Sequence, residues 1–282
     1  MGDPGGRTFL ITGANTGIGK ETARALASRG ARLYLACRSQ ENGRRTIAEI
    51  SGQTGNRNLT LLSLDLGDLG SVRQCAEEFM AADEPLHVLI NNAGVAGTRG
   101  MTASGFERMF GTNHVGPFLL TNLLLDRLRA SAPARVVSVA SAAHYGAPGI
   151  DWEAVQRPTR TITGMREYSV SKLANVLHAR ELARRLDGSG VTTYSLHPGV
   201  IASDIWRRVP WPARALMKLR MDSPEQGAKT SLYCATSEET ARQSGLYYDD
   251  CEPEEPAAVA TADLASELWR RSSEWTEQGV RA

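Results

Sequence analysis

Nowhere does the chain hold the run of about 18 apolar residues that a membrane-spanning helix needs, so no transmembrane anchor is expected. It also lacks a charge of one sign. Its 32 Lys and Arg oppose 31 Asp and Glu, which gives no electrostatic basis for a nucleic-acid partner. Cysteine is scarce and scattered. Cys37, Cys75, Cys234 and Cys251 show neither CxxC nor metal-ligand spacing, the pattern of reduced thiols. His144, His178 and His197 are not spaced as a metal cluster either, and no metal site is expected. The start, Met1 to Arg7, has no charged-then-apolar leader, and Gly6 stands where a myristoylation signal needs Ser or Thr. A cytoplasmic protein is therefore expected. No internal repeat or long linker divides the chain.

What is present is a regular alternation. Short β-branched or apolar runs fall at Thr8–Thr12, Arg32–Cys37, Leu59–Leu66, His87–Asn91, Arg135–Ala140, Val191–Leu196 and Gly245–Tyr248. Amphipathic segments lie between and after them, near 18–29, 40–51, 71–82, 103–129, 167–187, 224–236 and 261–276. Strands separated by helices require right-handed crossovers and a parallel sheet covered on both faces. The expectation is one α/β domain over residues 1–282, a Rossmann-like doubly wound parallel sheet of about seven strands. The stretches at 206–220 and 252–256 (EPEEP) read as surface insertions.

Between the first strand and first helix runs Thr12-Gly13-Ala14-Asn15-Thr16-Gly17-Ile18-Gly19. Three glycines there let the backbone turn tightly, approach a pyrophosphate and pack helix on strand. The helix opening at about Gly17 offers free N–H groups and a positive dipole end to an anion. The spacing is GxxxGxG rather than the commoner GxGxxG, so position after an opening strand carries the signal. At the end of the second strand an acidic residue would bond the ribose of NAD. This chain has Arg38-Ser39 instead, and a guanidinium matches a 2′-phosphate. NADP(H) is expected over NAD(H). Two more strand ends fit the same ligand: Leu64-Asp65-Leu66, where Asp65 can accept from the adenine amino group, and Asn91-Asn92-Ala93-Gly94, where small residues let the backbone pass a ribose.

Ser141 follows the fifth strand, and Tyr168-Ser169-Val170-Ser171-Lys172 opens the helix near 167–187. Residues four apart share a helix face, so phenol and ammonium point together. A hydride transfer to a carbonyl needs a proton donor for the developing alkoxide. A phenol of pKa ~10 is a weak partner at neutral pH unless its anion is stabilised. An ammonium about 4 Å away supplies ~4 kcal/mol at an effective dielectric near 20, enough to lower that pKa by roughly 3. Lys172 can also hold ribose hydroxyls, Ser141 can polarise the substrate oxygen, and Asn113 in a kinked helix can bind a water that relays protons to Lys172.

In this order, TGANTGIG, NNAG, the Asn113 motif, Ser141, YSVSK and His197-Pro198-Gly199, the chain resembles the short-chain dehydrogenase/reductase family from about residue 7 to about 276. The resemblance implies a catalytic tetrad of Asn113, Ser141, Tyr168 and Lys172. It also implies that Pro198, Gly199 and Ile201 border the nicotinamide amide and that Ser203 approaches the pyrophosphate. Longer phrases, among them YSVSKLANVLHARELARRL and GVTTYSLHPGV, are similar to the retinol dehydrogenases and their relatives, including the WW-domain oxidoreductase. That subgroup implies reduction of retinals or other lipophilic carbonyls with NADPH.

The segment at about 204–221 mixes Trp206, Trp211, Met217 and Met221 with five cations. It reads as a substrate lid over an apolar pocket, the alternative being a basic amphipathic contact with a membrane surface. The helix near 167–187 is apolar on more than one face, which leaves a homodimer open. Besides the oxidoreductase, two functions stay open: a dinucleotide-binding scaffold without turnover, and a reductase of a ring double bond on the same fold.

Overall fold

The computed structural model describes residues 2–199 and 223–278. Seven strands run parallel, from β1 (Thr8–Thr12) through β2 (Arg32–Cys37), β3 (Leu59–Ser63), β4 (Val88–Asn91), β5 (Ala134–Val139) and β6 (Val191–His197) to β7 (Leu246–Asp249). An eighth, β8 (Glu252–Glu254), pairs antiparallel with β7. The sheet order is β3-β2-β1-β4-β5-β6-β7-β8. The chain reverses its direction of growth between β1 and β4, and the crevice at their carboxyl ends is where such sheets take ligands.

Alternate strand residues separate the two cores, as a period of two dictates. Phe9 and Ile11 of β1 pack under α1 (Gly17–Ala27), α2 (Gln40–Thr54) and α8 (Pro224–Thr236). Leu10 faces the other side, beneath α3 (Leu69–Ala81), α5 (Gly116–Leu123) and α7 (Met165–Arg185). Outside this second layer lies α9 (Ala262–Gln278). Its Trp269 stands edge-on to Phe118 of α5 at 5.0 Å and 5.7 Å from the His178 ring of α7. The second apolar face of α7, read from sequence as available to a subunit interface, is covered by this helix. At the start of β5 the buried Arg135 donates to Cys234 O and Thr240 Oγ1 (both 2.9 Å) and to Ser237 O (2.7 Å), fastening the strand to the end of α8.

Three sequence expectations are corrected here. β3 stops at Ser63 because the chain leaves the sheet in an Asx turn. The Asp65 carboxylate accepts from Gly67 N at 2.9 Å, and Asp65 N donates to Ser71 Oγ at 2.9 Å. The insertion at 252–256 contains an edge strand, and Glu-Pro-Glu, exposed throughout, has no apolar face to reveal it. The single helix expected over 103–129 is three short α-segments around a π-turn: α4 (Arg108–Phe110), the π-turn Gly111–Val115, α5, and α6 (Leu125–Ala130). Glu107 caps its start by accepting from Met109 N and Phe110 N, both at 2.8 Å. Pro117 has no N–H to offer the Asn113 carbonyl four residues back, so a regular helix is interrupted at Asn113. No helix among the described residues is long and apolar enough to cross a membrane.

Candidate active site

A cleft of about 1120 Å³ opens at the carboxyl ends of β1, β4 and β5. Every described residue of the expected cofactor set lines it: Gly13, Asn15 to Gly19, Arg38, Ser39, Asp65, Leu66, Asn92 to Gly94, Tyr168, Lys172, Pro198 and Gly199. Ser141 lines it too, whereas Asn113 does not. Ile201, Ser203 and the lid expected at 204–221 lie outside the described residues.

One end of the cleft follows from the glycines. Gly13 (φ +66°) and Gly17 (φ +53°) adopt left-handed backbone that other residues resist. A Cβ on Gly19 would stand 2.4 Å from Asn92 Nδ2 and 2.6 Å from Gly13 O, so the third glycine lets α1 close on the NNAG turn. Helix α1 starts without a side-chain cap and without an acidic residue in its first turn. Its N-terminal N–H groups are thus open to an anion, which is the fit a dinucleotide pyrophosphate requires. Thr12 Oγ1 accepts from Asn92 N (3.0 Å) and Ala93 N (2.9 Å), tying the two ligand turns together.

At the end of β2 Ser39 caps α2 by accepting from Asn42 N at 3.3 Å, and Arg38 is exposed beside it. Glu41, the nearest carboxylate in sequence, pairs with Arg45 at 3.4 Å and does not line the cleft. Asp65 is the one carboxylate among the described lining residues.

At the other end Tyr168 and Lys172 project from the first turns of α7. The phenol is buried, which raises its pKa, and a hydrogen bond with Ser141 partly offsets the rise. Ser141 Oγ also accepts from Ala143 N at 3.2 Å. Lys172 is fully buried, and desolvation pulls its ammonium from an ordinary 10.5 to about 8. Its Nζ donates to Val139 O at 2.8 Å and lies 5.7 Å from the centre of the Tyr168 ring. The ammonium near the phenol is thus anchored on the β5 backbone. The reason is local: Val139 O ends a strand and faces α7.

Asn113 lies in the π-turn that interrupts its helix and does not itself line the cleft. Its carboxamide sits behind the cleft, accepting from Val95 N (2.8 Å) and donating to Val95 O and Ser171 Oγ (both 2.9 Å). Ser171 in turn donates to Tyr168 O at 2.7 Å. Asn113 thus braces the strand end after NNAG against α7. A Cβ added to Gly94 would lie 3.3 Å from Asn113 Oδ1 and 3.4 Å from Lys172 Nζ, so glycine is what keeps this wall of the cleft open.

Sequence reasoning missed two supports. Ala257 N donates to His144 Nε2 at 3.2 Å, which leaves Nδ1–H to donate to Ser141 O at 2.7 Å. His144 therefore fixes the Ser141 backbone, and its place three residues after Ser141 was the available signal. Ser171 bonds its own helix backbone as mid-helix serines commonly do, and nothing in the local sequence announces that it also accepts from Asn113, 58 positions away.

The short chain dehydrogenase family model matches residues 7–154. Retinol dehydrogenase 12 of Homo sapiens is 47% identical over 278 residues, covering 95% of this chain and 86% of its own. A crystal structure of a protein from Mycobacterium Paratuberculosis superposes with TM-score 0.78 at 34% identity, covering 98% of this chain and 96% of that one. The Pseudomonas aeruginosa RhlG/NADP active-site complex gives TM-score 0.71 at 25% identity, covering 93% and 100%. A cleft built on these turns, in a chain this similar to them, leaves one assignment: the protein belongs to the short chain dehydrogenase family of alcohol/carbonyl oxidoreductases and is retinol-dehydrogenase-like within it.

Proposed function

We propose that the protein is an NADP(H)-dependent oxidoreductase interconverting a lipophilic aldehyde or ketone and its alcohol, with Tyr168 as general acid and base. The observation that carries this reading is one cleft holding the uncapped α1 N-terminus at one end and the Ser141–Tyr168 hydrogen bond at the other. A bound nicotinamide would supply or accept the hydride. Arg38, exposed at the cleft, supports NADP, since a guanidinium matches a 2′-phosphate, as does the likeness to a structure holding NADP. Val95, Ala96, Ala143 and Met165 give the reacting end apolar walls, and these with the retinol dehydrogenase similarity support a lipophilic substrate.

In reduction, Ser141 donates to the substrate oxygen and Tyr168 gives that oxygen its proton as negative charge develops. The raised phenol pKa keeps Tyr168 protonated for this step. Lys172 supplies positive charge beneath the phenol and donors for the ribose, and Asn113 and His144 position the groups in contact with substrate. The four free cysteines support a reducing, cytoplasmic setting. NADPH oxidation against retinals, medium-chain aldehydes and steroid or quinone ketones tests the reading. Turnover should fall 10²- to 10⁴-fold in Tyr168→Phe, on the order that general acid–base catalysis contributes. Turnover surviving that change intact would sink the mechanism.

A further inference from the structure

We propose that α9 positions the active-site π-turn, with Ser272 acting through His114; this rests on the reading that Asn113 serves turnover. Asn113 and His114 are neighbours in the π-turn and make opposite attachments. The Asn113 carboxamide holds Val95 and Ser171, while the His114 ring reaches Ser272, its Nε2 2.9 Å from Ser272 Oγ. Both residues are buried, and His114 Nδ1 has no partner among the described residues, so Ser272 supplies the ring's one hydrogen bond there.

The same helix grips the turn on either side. Trp275 stands edge-on to Phe106 (5.6 Å) and Phe110 (6.0 Å), just before the turn, and Trp269 packs on Phe118, just after it. A π-turn is a rare departure from regular helix, and Pro117 withholds a donor from it, so contacts from outside the turn help to hold it. The path to the cleft is short. A displaced His114 moves Asn113, and with it Val95 and the Gly94 backbone that lies beside Lys172. Misplacement on the order of 1 Å at such a site costs up to about 100-fold in rate.

Ser272→Ala in the full chain should lower kcat about 10-fold while the dinucleotide KM changes less than about two-fold. Ser272→Cys, which keeps the volume and weakens the bond, should fall between it and wild type. Arg135→Met serves as the stability control, because its bonds lie at the opposite end of β5; it should lower Tm comparably and keep kcat. Wild-type kcat in Asn113→Ala would remove both the proposal and the role given to Asn113. If Asn113→Ala is impaired while Ser272→Ala matches wild type, or matches the control at equal Tm, the proposal alone is overturned.

Discussion

Lys172→Met should make the protein more stable and less active at once. The wild-type ammonium is fully buried, and its pKa falls from 10.5 to about 8 through desolvation. By the equivalence of one pH unit to ~1.4 kcal/mol, that depression costs the folded state on the order of 3 kcal/mol at pH 7. Methionine keeps most of the volume and removes the charge. The acceptor left behind is not orphaned, since Val139 O still receives Asn175 Nδ2 at 3.3 Å. Without dinucleotide, Tm should therefore rise by about 6 °C, taking ~2 °C per kcal/mol for a domain of this size. The pH dependence gives the sharper check. Below about pH 8 both folded and unfolded wild type bind the lysine proton, and the full cost is present. Between about pH 8 and 10.5 only the unfolded chain holds it, so wild-type stability rises with pH and the advantage of the variant fades. Scanning calorimetry from pH 6 to 10, beside NADPH oxidation and dinucleotide titration, follows all three quantities. A variant less stable than wild type at pH 7, or an advantage unchanged to pH 10, would refute the reasoning; so would undiminished turnover or dinucleotide affinity.

Two further substitutions probe opposite ends of the molecule. Arg38→Asp should lower the ratio of NADPH to NADH affinity by about 10- to 100-fold, the worth of a charge-assisted contact; fluorescence titration reads it, and an unchanged ratio rejects the 2′-phosphate assignment. Arg135→Met leaves Cys234 O and Ser237 O without the donors they have now, and urea unfolding should show a loss of about 2–4 kcal/mol with unaltered dinucleotide KM.

The parts legible in the sequence were those set by local pattern. A strand followed by glycines needing positive φ, and apolar runs of strand length between amphipathic segments, place β1, β2, β6 and the phosphate turn within a residue or two. What stayed hidden was decided by partners far along the chain. The π-turn depends on α9, whose Ser272 lies 158 positions from His114. Even Pro117, which marks the interruption, does not say where the freed turn will be held. β8 buries no residue to announce it, and its existence depends on the β7 edge.

Spacing succeeded and failed within one motif. It placed Tyr168 and Lys172 on one helix face, and both line the cleft. It could not say what the ammonium would touch, because Val139 comes from another strand. That difference changes the electrostatics. A lysine paired with the phenol would pull the tyrosine down and keep itself charged. The observed lysine, desolvated against a backbone carbonyl, is itself pulled down to about 8 while the phenol stays raised. In this arrangement the phenol is poised as a proton donor before it can serve as a base. With Tyr168 in its proposed role, carbonyl reduction is the direction that starts from the groups as they stand, and oxidation of the alcohol should need the higher pH. Initial rates in both directions from pH 6 to 10 test this: with the phenol held above its ordinary pKa, oxidation should gain rate as pH rises while reduction gains none, and parallel profiles would overturn it.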